Sequence, residues 1–180
     1  ELVKSNATVY EFDLASSYFN LAALEHQLGQ NKIASLLYNK SLDIFLHMEE
    51  THIKSYAPFI AKIYDDLAEL SKKDGKHDKA ADYYNKSLKI YLHLEQESPS
   101  IFAFKIAANY HDLAVLYYET NQSEKAKAYY LKALEKYQEL AQQDSIKYSP
   151  YLALCYENCG IFLFNISHDE HASKSFFQEA

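Results

Sequence analysis

Cys155 and Cys159, four residues apart, and then His168 and His171 are the side chains best equipped for metal chemistry. Thiolates and imidazoles at such spacing are legitimate zinc ligands. Asp65 and Asp66 raise a second idea, a carboxylate pair working as general acid and base. Adjacent residues on a helix point in different directions, however, so these two carboxylates cannot share a proton. No Gly-rich phosphate loop and no Ser-His-Asp pattern is legible. The expectation is a chain that is not an enzyme and carries no cofactor. What the cysteines do depends on the elements that hold them.

Those elements are repeats. "LYNKSLDIFLHM" (37–48), "YYNKSLKIYLHL" (83–94) and "YYLKALEKYQEL" (129–140) stand 46 residues apart. The same shift aligns Tyr18, Tyr64, Tyr110 and Tyr156, and then Ala15, Ala61, Ala107 and Ala153. It also superposes Leu21–Ala22, Leu67–Ala68, Leu113–Ala114 and Cys159–Gly160. Ala34, Ala80, Ala126 and Ala172 form a further column, as do Tyr38, Tyr84, Tyr130 and Phe176. Four copies result, near residues 8–48, 54–96, 100–143 and 146–180, the last cut short. Cys159 falls in the Leu column, where a small apolar thiol suits a packed interior better than a metal site. No metal is expected.

Each copy reads as two helices. Ile60, Ile63, Tyr64, Leu67 and Ala68 recur at steps of three and four; Ala80, Tyr84, Leu88 and Tyr91 do so after them. Gly29, Gly75, Asn121 and Ser167 mark the turn between the helices, three of them residue types that tolerate positive φ. Asn31, Ser123 and Asp169 follow as expected N-caps of the second helix. Only three Gly and three Pro occur in 180 residues, which fits an all-α chain.

The pattern Tyr64…Leu67–Ala68, Gly75, Ala80, Tyr84 and Leu88 resembles the tetratricopeptide repeat. The copies here are about twelve residues longer than the usual repeat of about 34. With "NLA" or "DLA" in the first helix and "YY-x-K-[SA]-L" in the second, they look most like the kinesin light chain branch of that family. The resemblance implies an α-solenoid of antiparallel helix pairs, coiled as a right-handed superhelix in a single domain over residues 1–180. It also implies a concave groove lined by the first helices. Groove positions by that resemblance are Phe19, Asn20 and Ala23 in copy one, then Lys62, Asp65, Asp66, Glu69 and Lys73 in copy two. Copy three supplies His111, Asp112, Val115, Tyr118 and Glu119; copy four supplies Glu157, Asn158, Ile161 and Asn165. Asn20 and Asn158 match a family asparagine that holds a bound peptide's backbone, whereas Asp66 and Asp112 put carboxylates there. Phe19, Asp66, Glu69 and Asp112 also stand where co-chaperone repeats grip a peptide carboxylate with basic and amide groups, so an anionic peptide end is not expected to bind.

Composition narrows the partner. The 18 basic residues are all Lys and the net charge is −7, which disfavours nucleic acid. No apolar run is long enough for a membrane span, and two reduced thiols suit a cytoplasmic setting. The expected function is a scaffold whose groove binds a basic or amphipathic peptide or protein segment. The alternative is an intramolecular regulatory or self-association module of a larger protein, acting through an uncapped terminal repeat. The opening Glu1 and the shortened fourth copy read as a segment of that larger protein.

Overall fold

The structure is a computed structural model that describes residues 2–51 and 56–167. Among these residues it is all helix and turn: α1 (Leu2–Gln27), α2 (Asn31–Thr51), α3 (Ala57–Lys73), α4 (His77–Glu97), α5 (Ala103–Glu119), α6 (Ser123–Gln143) and α7 (Ser145–Ser167). The expected turn after Ser167 and the positions Asp169, Ala172 and Phe176 lie outside the described residues.

One turn geometry closes three of the pairs. Gly29, Gly75 and Asn121 adopt φ of 75°, 71° and 58°. Their N–H groups donate to the carbonyls of His26, Lys72 and Tyr118. The next residues, Gln30, Lys76 and Gln122, donate five positions back to Glu25, Ser71 and Tyr117. This pair of bonds is the Schellman closure, and it satisfies carbonyls that a helix end leaves open. The carbonyls of Gln30, Lys76 and Gln122 then accept from Ala34, Ala80 and Ala126, starting the second helix. One residue thus ends one helix with its N–H and begins the next with its C=O.

That economy displaces the expected caps. Asn31 and Ser123 are the first helical residues rather than the caps, and Gln122 caps α6 without a side-chain bond. The backbone exchange through Gln122 already serves the first turn, so no Ser or Asn oxygen is required there.

The chain divides into two compact units, residues 1–90 and 91–180, with the division inside α4. In the first unit α1 packs on α2, and α2 on α3. Ala15, Ala22, Ala34, Ala61, Ala68 and Ala80 are fully buried, so backbones approach closely while Tyr38, Leu42, Phe45 and Met48 fill the space between them. Ser41 donates 2.8 Å to the Ala15 carbonyl, a contact only a small side chain at both positions permits. Phe45 stacks on Phe59 with centroids 5.1 Å apart.

In the second unit α6 packs on both α5 and α7. Its core joins Ala107, Ala114, Ala126, Tyr130, Ala133, Leu134 and Tyr137 to Cys155, Cys159 and Phe162. Each large apolar side chain so buried contributes about 1.5–3 kcal/mol.

Two columns depart from the pattern. Leu21 is exposed, although Leu67, Leu113 and Cys159 are buried, so copy one does not use that position as core. Ala153 is exposed, although Ala15, Ala61 and Ala107 are buried. Ala15 is covered by Ser41 of its own second helix; the matching position in copy four, residue 179, lies outside the described residues.

The joints between copies use a device the repeat alignment did not expose. The Glu49 carboxylate accepts from the Tyr56 N–H, at the start of α3. Seven-residue spacing recurs at Glu95, whose two oxygens accept from Ser100 N–H at 2.8 Å and Phe102 N–H at 2.9 Å, at the start of α5. Asp144 does a related job for α7, accepting 3.0 Å from Lys147 N–H. Acidic groups at helix N-termini are also favoured by the macrodipole.

Candidate functional site: two first-helix walls

The first helices of consecutive copies meet in each unit through rungs 47 residues apart, one repeat plus one residue. In the second unit these are Phe104–Tyr151, with centroids 4.7 Å apart, His111–Asn158 at 2.9 Å, and Tyr118–Asn165 at 2.6 Å. The first unit shows Phe12–Phe59, with centroids 5.5 Å apart, and His26–Lys73 at 2.9 Å. A constant offset over two or more rungs means that the paired helices run parallel. Rungs recur every seven residues, or multiples of it, because that spacing returns to nearly the same face of a helix.

In the first unit α1 and α3 carry most of the polar candidates. Asp66 is buried and its Oδ1 takes the Lys62 ammonium, four residues back on α3. Lys62 also lies over the Phe19 ring, 5.9 Å from its centroid. The other Asp66 oxygen, Oδ2, is buried with no hydrogen-bond partner. Tyr38, on α2, faces this carboxylate; burial first, and the Asp66 charge second, raise its phenol well above the ordinary range.

Glu69 pairs with Lys73 at 2.7 Å. His26 Nε2 lies 2.9 Å from the same Lys73 nitrogen and 3.7 Å from Glu69. Because a lysine ammonium can only donate, His26 accepts with an unprotonated nitrogen and the ion pair belongs to Lys73 and Glu69. Asp65 turns away from these groups and accepts the Ser87 hydroxyl on the second helix of its own copy. Asn20 is exposed.

In the second unit α5 and α7 form the other wall. His111 is largely buried against Tyr130 and Asn158. Its Nδ1 is 3.8 Å from the Asp112 carboxylate, which is half-exposed. Tyr118 accepts from Asn165 and meets the Phe162 ring edge-on, centroids 5.6 Å apart. Val115 packs on the core from its edge, while Glu119, Glu157 and Ile161 are exposed. α5 and α7 each contain a single lysine, Lys105 and Lys147, so this wall lacks the lysine partners that Asp66 and Glu69 have.

Cys155 and Cys159 are buried in the second core, and burial pushes both thiols up to about 12. Protonated buried thiols neither attack nor ligate. His168 and His171 lie outside the described residues, and among those described no three His, Cys, Asp or Glu could hold a metal ion. No described helix is long and apolar enough to cross a membrane.

Residues 61–93 and 107–146 each match a tetratricopeptide repeat family model. The chain is built of tetratricopeptide repeats. It is similar to the crystal structure of BtubC (BKLC) from P. vanneervenii, at 25% identity and a TM-score of 0.72, over 98% of this chain. It spans 64% of that chain's length. That fold is kinesin light chain-like, consistent with the branch to which the long repeats point. No curated protein matches the chain. Tetratricopeptide repeats generally mediate protein–protein interaction. Among the features missed from sequence are the 47-residue rungs, for which a search at the repeat period alone has no signal.

Proposed function

We propose that the first-helix walls bind a protein or peptide segment in which Lys or Arg stands beside one or two apolar anchors. The observation that carries this reading is the Asp66 carboxylate. One oxygen is held by Lys62, and the other is buried without a donor. A buried acceptor left unsatisfied costs free energy, so a donor brought by a ligand gains more here than on an open surface. The second wall supports the same chemistry with Asp112, Glu119 and Glu157 beside Val115 and Ile161. Asn158 is committed to His111, and Asn20 remains the asparagine suited to a peptide backbone.

The test is titration with short fluorescent peptides that combine Lys or Arg with one aliphatic anchor, and with the same peptides carrying Glu for Lys. Binding of the basic set is expected to weaken about tenfold in Asp66→Asn and in Asp112→Lys/Glu157→Lys, and to weaken as salt rises. Equal binding of both peptide sets, or affinity untouched by these substitutions, sinks the reading. The alternative, a module contacting another part of a larger protein or a second copy, is favoured by the exposed apolar face of α1.

A further inference from the structure

Leu14, Leu21 and Leu24 of α1 are 49%, 44% and 50% exposed. Their counterparts one repeat on, Ile60, Leu67 and Leu70 of α3, are 3%, 1% and 3% exposed. Three repeats on, Cys159 and Phe162 of α7 are buried as well. The residues are equally apolar, so the difference is one of neighbours. The face of α3 has α2 against it and that of α7 has α6. In the second unit the covering side chains are Tyr130, Leu134 and Tyr137, and Tyr130 meets Phe162 with centroids 5.4 Å apart.

Tyr10 and Leu28 extend the exposed row, giving apolar positions 10, 14, 21, 24 and 28 at steps of three, four and seven. That is one face of a helix. Ser17 interrupts the row, but its hydroxyl donates 2.7 Å to the Asp13 carbonyl. Covering it therefore leaves no orphaned donor. Ala15 and Ala22, on the side of α1 turned to α2, are fully buried, so this row is a second face of the helix.

We propose that this face of α1 docks the second helix of a further helical-repeat hairpin, a partner presenting aromatic, Leu and aromatic residues at i, i+4 and i+7. The chain itself specifies the occupant. Tyr38–Leu42–Phe45, Tyr84–Leu88–Tyr91 and Tyr130–Leu134–Tyr137 all have that spacing. Helices of this kind cover the equivalent face of α3 and of α7. The inference is independent of the groove reading, because the row includes none of the proposed peptide-binding residues.

The experiment uses the intact chain and a labelled peptide of residues 123–143, stapled through positions 128 and 132, which are exposed in α6. Circular dichroism first establishes that the peptide is helical. Saturable binding is expected, reduced at least about tenfold by Leu21→Glu/Leu24→Glu in the chain and equally by Leu134→Glu in the peptide. Both chain positions are exposed, so the variant's helicity and melting should match the parent's. A helical peptide that does not bind overturns the proposal, as does binding indifferent to the α1 substitutions. A concentration-dependent dimer dissolved by Leu21→Glu/Leu24→Glu would make a second copy the occupant and also overturn it.

Discussion

The Asn158 amide hydrogen-bonds the His111 ring at 2.9 Å, joining α7 to α5 across one repeat plus one residue. Asn158 donates from Nδ2, so the ring nitrogen that receives it, Nε2, carries no proton. The proton then sits on Nδ1, on the side of the Asp112 carboxylate. The rungs above and below it, Tyr118–Asn165 and Phe104–Tyr151, keep the two helices from sliding. A slip of one residue would separate all three pairs together.

The middle rung should be measurable as a coupling. A double-mutant cycle over His111→Ala and Asn158→Ala is expected to give about 0.5–1.5 kcal/mol in urea melts, the usual net value of a hydrogen bond. Additive losses would mean that the rung orients the walls without stabilising them.

Gly75 separates backbone strain from steric clash. Its φ is 71°, yet a Cβ placed there meets nothing within 4 Å. Gly75→Ala should therefore cost only the left-handed penalty, about 1–2 kcal/mol, and Gly75→Asn less. The same conformation at Asn121, with φ 58°, predicts that Asn121→Gly does not destabilise. Thermal melts of the three variants check this; a Gly75→Ala protein as stable as the parent would contradict the Schellman account.

These turns were legible in the sequence because Gly and Asn at a fixed interval report a backbone requirement directly. The buried Ala, Tyr and Leu columns were legible for a similar reason: every copy must fit its neighbour. Leu21 shows where that inference stops. Membership of a column states what a side chain is suited to touch, not whether a neighbour is there to be touched. The Glu49 and Glu95 clamps stayed hidden because a glutamate near a helix end looks like any solvated residue until the loop folds back onto it. Asp65 was grouped with Asp66 by adjacency, and the helix turned it toward Ser87 instead. Whether the two walls act as one groove was an expectation from family resemblance alone.

The buried thiols set an alkaline limit. Cys155 and Cys159 rise from 9.0 to about 12 through burial, with the neighbouring Cys159 adding to the shift at Cys155. The native state thus holds protons that the unfolded chain releases. Their contribution is full below about pH 9 and falls as pH rises towards about 12, since stability declines wherever the native state binds more protons. Urea midpoints should drop across that window, and Cys155→Ala/Cys159→Ala should reduce the slope. Buried Tyr38, Tyr130 and Tyr137, whose phenols are also raised, will keep part of it. At pH 8 the native thiols should react with a disulfide reagent far more slowly than after unfolding. Rapid labelling of the native protein would place a cysteine outside the core.

Glu95 gives the sharpest test of how one repeat is handed to the next. Its carboxylate accepts two backbone N–H groups, from Ser100 and Phe102, and so fixes the loop that enters α5. Ser100 itself has a φ of 71°, a conformation that a serine holds only when its surroundings favour it. The Phe102 ring stacks on Tyr91 of the same unit, centroids 5.7 Å apart, so the clamp also seats an aromatic contact. Glu95→Gln keeps one acceptor oxygen and should cost less than Glu95→Ala, which removes both and is expected to lose about 1.5–3 kcal/mol. Ser100→Gly relieves the strained backbone and should recover part of the stability lost in Glu95→Ala. Hydrogen exchange will tell a local clamp from a general packing loss: the amides of Ser100 and Phe102 should lose protection first, well before those within α6. Uniform loss across the second unit would mean that Glu95 acts through something other than these two bonds.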